Sequence, residues 1–347
     1  MTATSDIEFK TLLEDLEKDP SNLDLINKVA IGYFENYDQK SDKEDYDYFE
    51  LAYNLKKTVK SSHNFAWFLY FEWSEIEWRW DEDSAIEKAL KIQKESIELN
   101  PKSYFPYYQY GYMLLDQKKY QEAIPFLEKA NKIENQREIT HNLGFCHFQL
   151  KDYQKAFERF ENSVKIQDIE NRSLFNLSLA AFQTNRLEQL ETIAKKLFAE
   201  IETNVHKTVS GYEIGLLFYL LKDYQLATTC LLKQGIDGID LFDWQELSYS
   251  LYLTDKEKWR NKITQSIDER IDWVKEIESG HEDWEDYSEE EKCERLIELK
   301  SEIELRNETL SREMPEPKLD LTESLLVEHC GCLLFDCNRH GNRKNDK

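Results

Sequence analysis

The sequence predicts an all-α fold, a right-handed α-solenoid of stacked helix–turn–helix repeats closed by C-terminal capping helices. Three observations carry that expectation. The chain has 347 residues but only 10 Gly and 6 Pro, too few for collagen, a Gly-rich phosphate-binding α/β domain or a turn-dense β-sandwich. Its apolar residues recur at helical spacing. It also repeats itself: Gly111, Tyr120, Ala123, Leu127 and Ala130 realign with Gly144, Tyr153, Ala156, Phe160 and Ser163, and again with Gly215, Tyr224, Ala227 and Leu231. The glycines are offset by 33 and then 71 residues, and the longer step holds one degenerate copy with Ser178, Leu187 and Leu190 in the matching places.

Each unit reads as two helices. The small residue of the first lets the second approach, and the Ala of the second sits where the helices cross. A single pair cannot bury its apolar face, so pairs must stack. Along the chain, residues 1–69 read as N-terminal helices, with 22–38 and 44–60 as a degenerate first repeat split by the charged insertion QKSDKED. Residues 70–275 read as the repeat array. Within 276–318, Gly280 and HEDWEDY form a break, and Ser288 to Glu291 is a capping-box start for a long helix. Cys293, Leu296, Ile297, Ile303 and Leu310 give that helix its expected buried stripe, and Met314-Pro315-Glu316-Pro317 ends it. Residues 319–347 are a Cys-rich basic tail.

The repeat resembles the tetratricopeptide repeat (TPR) family, whose 34-residue signature places a Trp, a Leu-Gly pair, a Tyr and two Ala at matching offsets. Trp73-x-x-Ile76-Glu77-x-x-Trp80, leading to Ala89 and Asn100-Pro101, is similar to a further unit, and so is Trp244-x-x-Leu247-Ser248-x-x-Leu251. The resemblance covers roughly residues 70–275. It implies a groove lined by one face of each first helix. Carried over, that face holds Phe71, Ser74 and Trp78, then Phe105, Tyr108 and Tyr112, then His141, Phe145 and Phe148. It continues through Phe175, Leu179 and Phe182, then Tyr212, Leu216 and Tyr219, to Phe242, Gln245, Tyr249 and Tyr252. Family members that grip a C-terminal carboxylate use Lys, Arg and Asn there. This chain offers only Asn142, Arg172 and Asn176 as polar candidates, which points to an apolar, aromatic or proline-containing peptide. The alternative at this stage is a groove filled by the chain's own C-terminal helices.

With 45 Lys+Arg against 69 Asp+Glu, the formal charge is −24. Nucleic acid and anionic membrane are disfavoured partners, and a basic protein or peptide fits better. The aromatic run NFAWFLYFEWSEIEWRW covers every helical face, which leaves self-association open. The opening residues show no basic, apolar leader and no apolar run reaches membrane-span length, so the expectation is a cytoplasmic chain with reduced thiols.

Among chemistry-bearing groups, His329, Cys330, Cys332, Cys337 and His340 hold ligand types suited to zinc. The same residues equally read as a redox or modification site, since nearby Arg339, Arg343 and Lys344 lower thiol pKa values, or as an inert terminus. No nucleotide loop, Ser-His-Asp signature or HExxH motif is present, and the acidic runs lack a companion nucleophile. The expectation is therefore a non-catalytic adaptor or scaffold binding a protein or peptide. Two alternatives are a peptide-responsive regulatory sensor and a platform that presents the Cys/His tail.

Overall fold

The computed structural model describes residues 6–35, 44–72, 81–166, 171–202, 209–233, 240–329 and 333–337. These residues form helices and connecting segments, with no strand among them. The chain divides into two compact units. Unit 1 takes residues 1–169 and 327–347, and unit 2 takes residues 170–326. This partition runs across the sequence-based boundaries, because the last stretch of chain returns to the first unit.

Unit 1 holds α1 (Asp6–Lys18), α2 (Leu23–Glu35), α3 (Glu44–Leu55), α4 (Val59–Phe71), α5 (Glu82–Glu98), α6 (Phe105–Asp116), α7 (Tyr120–Ile133), α8 (Arg137–Gln149) and α9 (Tyr153–Ser163). From α2 onward each helix packs on its successor as a pair: α2 on α3, α4 on α5, α6 on α7, α8 on α9. The expected small residues set these crossings. A Cβ on Gly144 would stand 2.8 Å from the Phe160 ring, and one on Gly111 would stand 2.8 Å from the Leu127 side chain. Ala123 and Ala156, on the second helices, are fully buried.

One pair differs from the expectation. α5 pairs with α4, at 59–71; the 73–80 signature lies outside the described residues. Thr58 and Ser61 form a reciprocal capping box there, so a new helix begins where the sequence reading continued an old one to residue 60.

Unit 2 holds α10 (Asn171–Gln183), α11 (Leu187–Glu202), α12 (Gly211–Leu220), α13 (Tyr224–Lys233), α14 (Gln245–Thr254), α15 (Lys256–Ser279) and α16 (Glu289–Ser311). Gly280 caps α15 in the left-handed conformation, and Ser288 with Glu291 starts α16 as the sequence indicated. The buried stripe on α16 is not the expected one. Leu299 and Arg306 are buried, whereas Cys293 is exposed and Ile297 is 66% exposed. Charge sets the docking face: Arg306 and Arg270 of α15 both bond Asp240, and Arg270 also bonds Glu302. Burial pushes the Asp240 carboxyl up, but the Phe242 N–H and the two guanidinium groups outweigh it and hold its pKa below the usual range.

The tight turns between paired helices share one backbone feature. Lys118, Lys151, Asn185 and Lys222 all lie at φ of 57 to 61°, in the left-handed region, just before the second helix starts. Their spacing follows that of Gly111, Gly144, Ser178 and Gly215.

Candidate functional site

Two residues before the small residue of four successive first helices, the sequence places an amide: Asn64 before Ala66, Gln109 before Gly111, Asn142 before Gly144 and Asn176 before Ser178. All four are fully buried. Since one helical register repeats, these side chains leave equivalent faces of α4, α6, α8 and α10.

In unit 1 that face meets residues 327–329 and 333–337. Asn142 donates to the Glu328 carbonyl at 2.7 Å and accepts from the Glu328 N–H at 3.1 Å. Asn64 does the same for Phe335, donating at 3.2 Å and accepting at 2.9 Å. A carboxamide that bonds both main-chain groups of one residue holds a non-helical segment without reading its side chain, here also at the Leu334–Cys337 turn, where Asp336 lies at φ 70°. Tyr108 adds a hydroxyl bond to the Glu328 carbonyl at 3.1 Å, and Asn142 also donates to the Tyr108 hydroxyl at 3.0 Å.

Side-chain contacts accompany this main-chain grip. Arg137 Nη2 lies 3.2 Å from Glu328 Oε2, and His141 Nδ1 lies 3.9 Å from Oε1. Glu328 is 3% exposed, Arg137 8% and His141 0%, so this is a buried ionic cluster. The Tyr112 hydroxyl lies 3.3 Å from His329 Nε2, with the rings 5.0 Å apart. Phe335 packs on Phe105 and, edge-on, on His63. Asp336 pairs with Lys60 at 2.6 Å. A cavity of about 370 Å³ is lined by Trp67, Phe71, Glu72, Tyr108, Gln109, Tyr112, His329 and Leu333.

Hydrogen-bond logic fixes the His63 tautomer. Gln93 Nε2 is a donor, and it reaches His63 Nδ1 at 3.2 Å and the Pro106 carbonyl at 2.8 Å. Nδ1 therefore accepts, and Nε2–H donates to the Leu333 carbonyl at 2.9 Å. Burial lowers the His63 pKa to about 3, which keeps the ring neutral. Gln109 completes the row by donating to Gln93 Oε1 at 3.1 Å.

In unit 2, Asn176 holds Leu326 by the same two bonds, at 2.7 and 3.0 Å. Met314 Sδ lies 3.9 Å from Ser248 Oγ, which also accepts from the Trp259 indole at 3.0 Å. Tyr249 packs against Tyr219, Tyr224 and Tyr252, and Tyr212 stacks on Trp244. In both units the segment passes the first helices in reverse order: Met314 at α14 before Leu326 at α10, then Glu328 at α8 before Phe335 at α4.

Of the residues carried over for the groove, Phe105, Tyr108, Tyr112, His141 and Asn142 converge on residues 327–337, and Asn176 meets Leu326. Phe145 instead packs on Tyr120, and Phe148 is core between α8 and α9, against Tyr153. Phe175 is fully buried, while Arg172 and Phe182 are half-buried on α10. Trp78 lies outside the described residues. Sequence reasoning missed His63, Asn64, Gln93 and Arg137. The signal for the first two was a polar run, Ser61 to Asn64, opening an otherwise aromatic helix in register with Ala66.

Of the five zinc candidates, Cys330, Cys332 and His340 lie outside the described residues. His329 bonds Tyr112, Cys337 is half-buried, and no trio of His, Cys, Asp or Glu among the described residues forms a metal-type cluster. Cys146 and Cys230 are buried helix residues whose thiol pKa values burial pushes up to about 12.

Residues 93–124 match the family model described as tetratricopeptide repeat. That match runs from the end of α5 through α6 into the start of α7. Among solved structures, the APC/C hetero-tetramer Cut9–Hcn1 is 17% identical, with a TM-score of 0.50 over 70% of this chain and 45% of the matched chain. PilF of Pseudomonas aeruginosa is also 17% identical, with a TM-score of 0.51 over 67% of this chain and 99% of its own. The chain thus spans less than half of the Cut9–Hcn1 chain it matches. At these identities the likeness concerns the fold. Among the described residues, no helix is long and apolar enough to cross a membrane.

Proposed function

We propose that the chain is a non-catalytic, cytosolic adaptor whose unit 1 binds one non-helical peptide segment across α4, α6 and α8. The observation that carries this reading is the paired bonding of Asn142 to Glu328 and of Asn64 to Phe335. Scaffold side chains spent on the backbone of a non-helical segment are a means of holding chain that lacks its own hydrogen-bond ladder, and residues 327–329 and 333–337 serve as the resident occupant. A tetratricopeptide-repeat neighbour found in a hetero-tetramer, Cut9 with Hcn1, fits an interaction role.

A tethered occupant competes at high effective concentration, on the order of millimolar for a short linker. External segments therefore bind weakly until residues 327–337 are loosened. The test uses a fluorescent peptide of residues 325–337, with serine in place of cysteine, and reads anisotropy. Full-length chain carrying Leu333→Asp with Phe335→Asp should bind it more tightly than the unmodified chain, and adding Asn142→Ala should weaken that binding at least tenfold. Equal affinity in all three chains overturns the reading.

The resident segment also favours a second role, the peptide-responsive sensor, in which displacement frees the end of the chain. Small-angle scattering separates the two: a changed radius of gyration on adding peptide supports the sensor, and an unchanged one supports the static adaptor.

A further inference from the structure

Residues 327–337 contribute more than a main chain to unit 1. Glu328 brings an anion to a place where Arg137 and His141 are themselves nearly or fully buried. Glu138 also lies 3.4 Å from Arg137, on the same helix, and is half-buried at 17% side-chain exposure. Removing one partner of a buried, hydrogen-bonded pair leaves the other desolvated, and that cost exceeds what the pair contributes when intact. Any segment that displaces residues 327–337 faces the same requirement. It must bring its own carboxylate to Arg137 or leave the guanidinium under a neutral side chain.

We infer that the segment recognised by unit 1 carries an internal Asp or Glu side chain that docks on Arg137 and His141, followed five and seven residues later by apolar and aromatic anchors. Those spacings are those of Glu328, Leu333 and Phe335, which are 3, 3 and 8% exposed. The two anchors sit beside His63 and Phe105, and their backbones are held by His63 and Asn64. The acidic anchor is a mid-segment side chain with chain continuing on both sides. Its carbonyl is held by Asn142 and Tyr108, which a terminal carboxylate could not reproduce while also keeping the downstream anchors in place.

The inferred partner chemistry also departs from what net charge suggests. A total of −24 attracts basic surfaces at long range, yet the buried Arg137 guanidinium of unit 1 faces an anion. Long-range steering and local recognition are separate quantities, and the buried pair governs the off-rate.

This inference rests on the peptide-binding reading, and one experiment separates their failures. The probe is the labelled 325–337 peptide, with serine for cysteine, in Glu and Gln forms at the Glu328 position. The host is the full-length chain with Leu333→Asp and Phe335→Asp, with and without Arg137→Gln. The expected result is a loss of at least about 30-fold for the Gln peptide on the Arg137 host, shrinking to a few-fold on the Arg137→Gln host. Should both peptides bind the Arg137 host equally well, the carboxylate inference fails while the groove reading stands. Should neither bind, the groove reading fails and takes the inference with it. A peptide stopping at Glu328 with a free terminus that matches the full probe would also overturn the inference, by showing that a chain end is read.

If the double-Asp host does not fold, amide exchange in the otherwise intact chain supplies the same discrimination. Glu328→Gln should speed exchange of the Glu328-position and Phe335 amides, which Asn142 and Asn64 hold, at least about 30-fold. Unchanged exchange there overturns the inference.

Discussion

Both units bury arginine, and they satisfy it differently. In unit 2, Arg270 and Arg306 find Asp240, Glu302 and the Ser266 hydroxyl, all supplied by α15, α16 and the residue that precedes Leu241. In unit 1, Arg137 has Glu138 of its own helix at 3.4 Å, but its closer and more deeply buried carboxylate is Glu328, on a segment remote in sequence that belongs to no helix pair. A buried cation satisfied by the scaffold fixes how helices dock. A buried cation satisfied by a separable segment makes the scaffold responsive to what that segment carries. Chemically alike ion pairs therefore divide into a structural tie and a recognition contact according to which part of the chain owns the anion.

The largest expected effect tests that division. Asp240→Ala strands two buried guanidinium groups and should destabilise unit 2 by about 3–5 kcal/mol, read by urea unfolding. Glu328→Gln should leave the unfolding of α4 to α9 within about 1 kcal/mol of the parent while loosening residues 327–337. If Glu328→Gln costs unit 1 as much as Asp240→Ala costs unit 2, the segment is structural and the contrast collapses.

A finer comparison sets Asn142 against Asn176. Both hold one residue by two main-chain bonds, but Asn142 also bonds Tyr108, and its client residue also engages Arg137. Asn142→Ala leaves more buried polar groups short of partners. It should raise the opening of the Glu328 amide by about 2–3 kcal/mol, against about 1 kcal/mol for the Leu326 amide in Asn176→Ala. Residue-resolved hydrogen exchange measures both.

Acidification should move the two units in opposite directions. Burial among Phe105, Phe335, Gln93 and Leu333 depresses the His63 pKa from 6.5 to about 3. Between those values the unfolded chain binds a proton that the folded chain refuses, so unit 1 loses stability as pH falls through that window. The slope is at most about 1.4 kcal/mol per pH unit. In unit 2, burial raises the Glu246 carboxyl above its ordinary 4.5, so from there upward the folded form holds the extra proton and unit 2 gains stability as pH falls. His63→Gln should reduce the unit 1 slope between pH 6.5 and 5, leaving the part due to His147, whose pKa burial also lowers, and leave unit 2 unchanged. Parallel slopes in both units would count against these assignments.

How much of this was legible beforehand follows from sequence separation. The repeat register, the close approach at Gly111 and Gly144, and the capping of α16 are local, and local spacing revealed them. Asn142 and Asn176 were visible as polar exceptions on an aromatic face. Asn64 shares their register but was hidden, because the aromatic run through residue 80 reads as one helix unless the Thr58–Ser61 capping box is noticed. A groove filled by the chain's own C-terminal residues was one of the open alternatives, but the particular bonds to residues 326–335 were not legible. They join positions 150 to 271 apart, and the segment has neither helical nor strand periodicity to betray its partner. The stripe expected on α16 failed for a related reason: apolar spacing was followed where buried arginines decide the face.

The smallest expected effect asks whether the two units are the same at the level where the sequence made them look alike. Lys118 and Lys151 in unit 1, and Asn185 and Lys222 in unit 2, hold left-handed backbone at equivalent turns. A side chain with a Cβ costs roughly 1 kcal/mol there, and Asn tolerates the region better than Lys. Glycine removes that cost but adds entropy to the unfolded chain. The net gain should be about 0.5 kcal/mol for Lys151→Gly and for Lys222→Gly, and near zero for Asn185→Gly. Urea midpoints resolve these shifts. Equal gains at Lys151 and Lys222 would show that the turn chemistry of the repeat is shared by both units, so that their difference resides in what crosses the first-helix faces and not in how the repeats are built.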